Sequence, residues 1–136
     1  MAVTRFQDII AWQRARTLAA EVYRVTSDGP LSKDFGLRDQ ARRASVSIMA
    51  NIAEGFGRNR PAELQRFLDI AQGSCAELQS HLYVVADLGY VEAAVHEKLQ
   101  LLCDEVGRLI RRFAQSSASA ARGTRDEGLG TRDGAP

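Results

Sequence analysis

The chain reads as an all-α protein, an antiparallel up-down-up-down four-helix bundle followed by a disordered C-terminal tail. Three observations predict this. Apolar residues recur at i, i+3, i+4 and i+7 along four long stretches, the spacing of a helix with one face on a core. Breakers stand between those stretches, at Gly29-Pro30, around Gly57 to Pro61, and at Gly89-Tyr90. No stretch alternates apolar and polar residues as a half-buried strand does. The links between helices are short, which leaves room only for antiparallel neighbours. The bundle is assigned to residues 1–117 and the tail to 118–136.

Thr4 or Asp8 is the expected cap of the first helix, which runs to about Ser27. Ala11, Ala15, Leu18, Ala19, Val22 and Thr26 share one side of it, with Trp12 and Tyr23 at the edge of that stripe. Trp12 is read as a core anchor rather than a platform for stacking bases. Ser32 is the expected N-cap of the second helix, with Asp34 in its first turn, where a negative charge meets the positive end of the helix dipole.

The second helix is the most informative. Leu37, Ala41, Ala44, Ile48 and Ile52 form its core stripe. Val46, Met49, Ala50 and Ala53 form a second apolar strip on the far side, which a helix with one face in water does not need. Asn51 sits at the edge of the core stripe, where an unpartnered amide costs about 1–3 kcal/mol, so it is read as a structural polar residue together with Glu54 at the helix end. Gly55 and Gly57 are read as the residues that let the helix stop in a left-handed conformation.

Asn59 or Arg60 is the expected cap of the third helix, with Pro61 at its first position. Its core stripe runs Leu64, Phe67, Leu68, Ala71, Cys75, Leu78, Leu82 and Val85, with Ile70 and Val84 flanking it. Gly73 interrupts the pattern and is read as a point where another backbone comes close. The fourth helix runs from about Glu92 to Ser117, with Val95, Leu99, Leu102, Val106, Ile110 and Phe113 inward. Asp104 and Arg108 are spaced as an i,i+4 ion pair on its outer side.

Composition excludes several classes of function. No apolar run is long enough to span a membrane, and Met1 to Arg5 opens no signal sequence, so the chain is expected in the cytoplasm. Cys75 and Cys103 fall on core stripes and are read as buried reduced thiols, with a disulfide as the lesser alternative. His81 and His96 have no partner at ligand spacing, so no metal and no cofactor is expected. Residues 1–60 carry 10 Lys/Arg against 6 Asp/Glu, while residues 61–117 carry 5 against 8, within a net charge of +1. The N-terminal half is therefore a mildly basic pole. Glu54, Asn51 and Arg43 would be the members of any polar pocket at the end of the second helix, but no nucleophile–base pair accompanies them and no enzyme is expected.

A family resemblance rests on ordered motifs. They are Phe6 with Trp12-Gln13-x-Ala15, Tyr23, Gly36-Leu37-x-x-Gln40, Arg42-Arg43-Ala44-x-x-Ser47-Ile48 and Asn51-Ile52-Ala53-Glu54-Gly55-x-Gly57-Arg58. Further along stand Arg66-Phe67-Leu68-x-Ile70-Ala71-x-Gly73-Ser74-x-x-Glu77-Leu78 and Leu88-Gly89-Tyr90. Together, over about residues 5–113, they resemble the bacterial four-helix-bundle proteins encoded in intervening sequences of 23S ribosomal RNA genes. The accessory protein of diversity-generating retroelements looks like a relative. Met49 stands where many relatives have proline, which would straighten the second helix.

The resemblance implies a homopentameric ring without catalytic residues. Its implied partners are RNA or DNA and, in the retroelement branch, a reverse transcriptase. The surplus strip Val46, Met49, Ala50 and Ala53, with Ile70 and Val84, then becomes the candidate interface between copies, since surplus apolar surface on a soluble protein usually marks one. Arg38, Arg42, Arg43, Arg58, Arg60 and Arg66 become the candidate phosphate contacts, with Arg58 and Arg60 favoured because they lie on a turn. A protein-interaction scaffold for a cytoplasmic enzyme is the alternative reading.

Overall fold

The computed structural model describes the backbone of residues 3–133 and the side chains of residues 3–123. Four helices carry the fold: α1 (Ile10–Thr26), α2 (Phe35–Gly57), α3 (Pro61–Asp87) and α4 (Ala93–Asp133). Short 3-10 turns at Phe6–Asp8 and Pro30–Lys33 precede the first two, and no strand occurs among the described residues. Each helix packs on its sequence neighbour, and α1 closes the ring against α4.

Side-chain contacts display the up-down course directly. Along the α3–α4 seam Gln65 donates to the Ala114 carbonyl at 2.8 Å, Gln72 to the Gly107 carbonyl at 2.8 Å, and Gln79 to Asp104 at 2.9 Å. As one number climbs the other falls, so the helices run antiparallel. Thr26 and Arg42 meet across α1–α2, and Ser47 and Ser74 across α2–α3.

The predicted stripes are the core. Ala15, Leu18, Ala44, Ile48, Ile52, Leu78, Val106 and Ile110 are fully shielded. Cys75 and Cys103 are both free and buried, and the Cys75 thiol donates to the Cys103 carbonyl at 3.2 Å. Contact with Cys75 and burial together push the Cys103 thiol up, so it stays protonated and behaves as a small apolar group. Trp12 is half-buried against the core, with the Phe6 ring edge-on at 5.0 Å, as an anchor should be.

The helix ends differ from expectation in ways that have physical causes. Neither Thr4 nor Asp8 caps α1; the 3-10 turn runs straight into it through Ile9, which is 2% exposed and holds the entry by burial instead. Asp34, not Ser32, caps α2, accepting from the Leu37 amide at 3.2 Å. The same carboxylate accepts the Tyr90 hydroxyl at 3.0 Å, which pins the α3–α4 link to the start of α2. Ser32 is spent inside its own turn on the Gly29 carbonyl.

Glycine roles also change. The left-handed residue after α2 is Asn59, at φ 57°, and neither Gly55 nor Gly57 is needed for it. Gly55 serves packing: a Cβ there would lie 2.6 Å from Phe67 Cβ, so α2 and α3 meet where no methyl fits. Gly73, read as a close-approach point, is exposed with nothing of this chain within 4 Å of a Cβ.

Helix α4 continues beyond Ser117, where the sequence placed its end. Ala118, Ala120 and Ala121 are good helix formers and no breaker stands before Gly123. Most of the tail assigned to 118–136 lies outside the residues whose side chains are described.

Two interhelical ion pairs brace the surface. Arg14 grips Glu105 with two bonds, at 2.8 and 3.0 Å, tying α1 to α4. Arg43 bonds Glu77, tying α2 to α3, and Glu77 also meets His81 at 3.1 Å. The Arg14 hydrogen bond holds Glu105 below the ordinary carboxylate range; the His81 bond, with Arg43 beside it, does the same for Glu77.

Gly55→Ala gains helix propensity worth about 1 kcal/mol yet forces α2 from α3, and overpacking costs about 1–3 kcal/mol, so the melting temperature falls. Gly73→Ala, with no atom of this chain in its way, leaves the helix content seen by circular dichroism unchanged. Because the folded pKa values of Glu77 and Glu105 are depressed, their contribution is whole above the ordinary glutamate range and is lost as pH falls through the folded values. Urea titrations across acid pH should show Glu77→Gln/Glu105→Gln less stable at neutrality, by about 1 kcal/mol or less per exposed pair, and flatter on acidification than the parent.

Candidate self-association and nucleic-acid surfaces

The outward sides of α2 and α3 form one continuous face. Ser47–Ser74, Arg43–Glu77 and Gly55–Phe67 set the register of the two helices. At that register Ala50 and Ala53 stand level with Ile70, and Phe35 stands level with the end of α3. Val46 and Ile70 are each 40% exposed, and Val84 is 44% exposed. Ala50 is exposed and Ala53 half-buried beside them. Met49 departs from the predicted strip: its flexible side chain turns to the core and packs there.

Phe35 (63% exposed) and Leu88 (53%) lengthen the face at one end, and sequence reasoning missed both. The signal was present. Phe35 lies 18 residues before Ala53, and Leu88 lies 18 after Ile70, which is five full turns, so each shares a wheel position with a residue that was noticed. Gly73 opens on this same face.

A polar row crosses it. Arg43 bonds Glu77 and also donates to Gln40 at 2.9 Å. Asn51 donates to the Ser47 carbonyl at 2.8 Å and the Ser47 hydroxyl at 3.0 Å, and Ser47 meets Ser74 at 2.9 Å. The Asn51 amide is thus spent on structure. Glu54 pairs with Arg58 at 3.1 Å, and its carbonyl accepts the Arg58 amide at the helix end. Asn51, Glu54 and Arg43 therefore have three separate sets of partners and do not converge on a pocket. Among the described residues no group of three or more His, Cys, Asp or Glu is placed to hold a metal ion.

The six arginines singled out in the sequence do not form one cluster. Helix α2 is 23 residues long, about 34 Å at 1.5 Å per residue, and it separates Arg38 from Arg58 and Arg60. Arg38 pairs with Asp39 at 2.9 Å and lies over the Phe35 ring. Arg42 leans the other way, donating to the Thr26 hydroxyl at 2.7 Å over the Tyr23 ring. Arg43 turns to Glu77 on α3.

The α2–α3 turn does bring two of them together. Arg58 and Arg66 both lie over the Phe67 ring, at 5.3 and 4.8 Å, while pairing with Glu54 and Glu63. Arg60 forms no ion pair among the described residues and borders a groove of about 360 Å³ floored by Phe56, Leu64 and Phe113. The expected Asp104–Arg108 pair is absent, because Asp104 accepts from Gln79 instead. Arg108, Arg111 and Arg112 are left exposed on α4, a basic stretch hidden in the sequence by the acidic total of residues 61–117.

No helix among the described residues is long and apolar enough to cross a membrane. No curated protein sequence matches the chain at a significant level. Its structure is similar to a crystal structure from Bacteroides thetaiotaomicron, a protein of unknown function from the S23 ribosomal protein family. The TM-score is 0.70 at 20% identity, over 77% of this chain and 98% of that one, which is a likeness of fold. A family model described as 23S rRNA-intervening sequence protein matches residues 7–112, from the turn before α1 to the last buried turns of α4. That span takes in the whole closed bundle, and the chain belongs to the 23S rRNA-intervening sequence protein family.

Proposed function

We propose that the protein is a non-enzymatic cytoplasmic accessory factor that works as a homo-oligomer, a homopentameric ring, and that its partner is nucleic acid, RNA or DNA, held by arginine side chains. One observation carries the reading: Phe35, Val46, Ile70, Val84 and Leu88 are 40–63% exposed on a single two-helix face. Isolated apolar side chains on a surface are ordinary. Five in register across two antiparallel helices, with Ala50 and Gly73 between them, make a surface suited to another helix pair. Gly73 then keeps its meaning as a close-approach point, the approaching backbone belonging to another copy.

Membership of a family named for ribosomal RNA intervening sequences supports nucleic acid as the partner, as do arginines left without carboxylates. Ring assembly multiplies weak single contacts into avidity. A second reading, a scaffold for a reverse transcriptase or another cytoplasmic enzyme, draws on the near-neutral net charge of +1, which is small for a phosphate binder. On that reading a protein partner is recovered by pull-down even after nuclease treatment.

The assembly is tested by light scattering and sedimentation. The parent protein is expected at five times its 14.9 kDa chain mass, and Val46→Asp/Ile70→Asp at single-chain mass with its helix content kept. A parent that stays at single-chain mass on concentration overturns the ring. For nucleic acid, a filter-binding titration against salt should give an affinity that falls steeply as salt rises; a flat response removes phosphates from the reading.

A further inference from the structure

The described residues include fourteen arginines. Seven pair with carboxylates: Arg5, Arg14, Arg24, Arg38, Arg43, Arg58 and Arg66. Arg16 and Arg42 lie over the rings of Trp12 and Tyr23. The five that remain are Arg60, Arg108, Arg111, Arg112 and Arg122. They are not scattered. Four lie on α4 between Arg108 and Arg122, and the α3–α4 register, with Gln72 bonded to Gly107 and Gln65 to Ala114, sets the first turns of that stretch beside the first half of α3. Arg60 borders the groove that α4 closes with Phe113 and Ser116.

From Val106 to Arg125 the sequence has no acidic residue. Arg108, Arg111, Arg112 and Arg122 recur at helical spacing on the outward side of α4, and all four are exposed. The nearest carboxylates before that stretch are engaged elsewhere, Asp104 with Gln79 and Glu105 with Arg14, although Glu105 still feels the Arg108 charge. An arginine already paired must give up its partner to take a phosphate; these need not. No aromatic ring at this end is exposed among the described residues: Phe6, Trp12, Phe56 and Phe113 are half-buried, Arg16 lies over Trp12, and Phe67 is roofed by Arg58 and Arg66. Base stacking, the grip used on single strands, therefore has no open ring here.

We propose that the outward side of α4 from Arg108 to Arg122, with Arg60 at its flank, grips the sugar–phosphate backbone of a nucleic-acid duplex, without reading base sequence. The inference rests on the nucleic-acid function proposed above and moves the contact from the α2 arginines to α4. Each arginine on a phosphate displaces condensed counterions, so each steepens the salt dependence of binding.

The test is fluorescence anisotropy of the full chain against a labelled duplex two helical turns long, RNA in one arm and DNA in the other, over a salt series. Arg111→Ala/Arg112→Ala is expected to lower the slope of log affinity on log salt by about 1 per arginine in at least one arm, with helix content and particle mass unchanged. Arg111→Lys/Arg112→Lys should restore it. Arg24→Ala/Lys98→Ala removes the same charge from two cations beside Glu21 at the opposite end of the bundle and should leave the slope as it was. Equal losses in the two alanine variants, or a parental slope in Arg111→Ala/Arg112→Ala, overturn the α4 surface while nucleic-acid binding stands. A parent that binds neither duplex at low salt, or binds only phosphatidylserine vesicles, overturns the function and the surface together.

Discussion

The closeness of α2 to α3 governs the rest of the molecule. At Gly55 there is no space for a methyl group, and along the same helix Ala41, Ala44 and Ser45 present only small side chains inward. The turns seated with small residues hide little apolar area each, and Ile48 and Ile52 supply most of what α2 buries. The opposite side of the helix stays outside the core. Natural sequences usually make that outer girth polar; here it carries Val46 and Ala50, and α3 answers with Ile70 and Val84. Tight seating within the chain and an apolar back outside it belong to the same helix pair.

Much of this was legible in the sequence, because core stripes follow from periodicity alone. Ile48, Ile52, Leu78 and Ile110 fell where the 3.6-residue spacing put them. Ends of helices were less legible. Ser32 and Asp34 both suit a cap, and the choice between them depends on Tyr90, far along the chain, whose hydroxyl takes the second oxygen of Asp34. Gly55 and Gly73 look alike in sequence, yet one is buried against Phe67 and the other opens to solvent. Only the register of two helices tells them apart.

Charge was the least legible property, for a related reason. Counting by halves of the chain made residues 1–60 basic and 61–117 acidic, but a bundle folds those halves side by side. Whether an arginine is available depends on what stands across the seam or one turn away. Arg43 has Glu77 and Arg58 has Glu54, whereas Arg111 and Arg112 have no acid in place among the described residues. The candidate arginines of α2 were visible because they cluster in sequence, and clustering in sequence says nothing of partners contributed by another helix. Asn51 and Glu54 were legible as structural residues because a polar group at a core edge or helix end has to be satisfied locally.

The two cysteines give the molecule a built-in chemical clock. Cys75 and Cys103 are 3% and 0% exposed, midway along the line where α3 meets α4. Cys103, with no exposed surface, meets an alkylating reagent only when that line parts. The pace at which Cys103 of the native protein takes up such a label therefore measures how often α3 and α4 come apart, with no dye attached and no residue replaced.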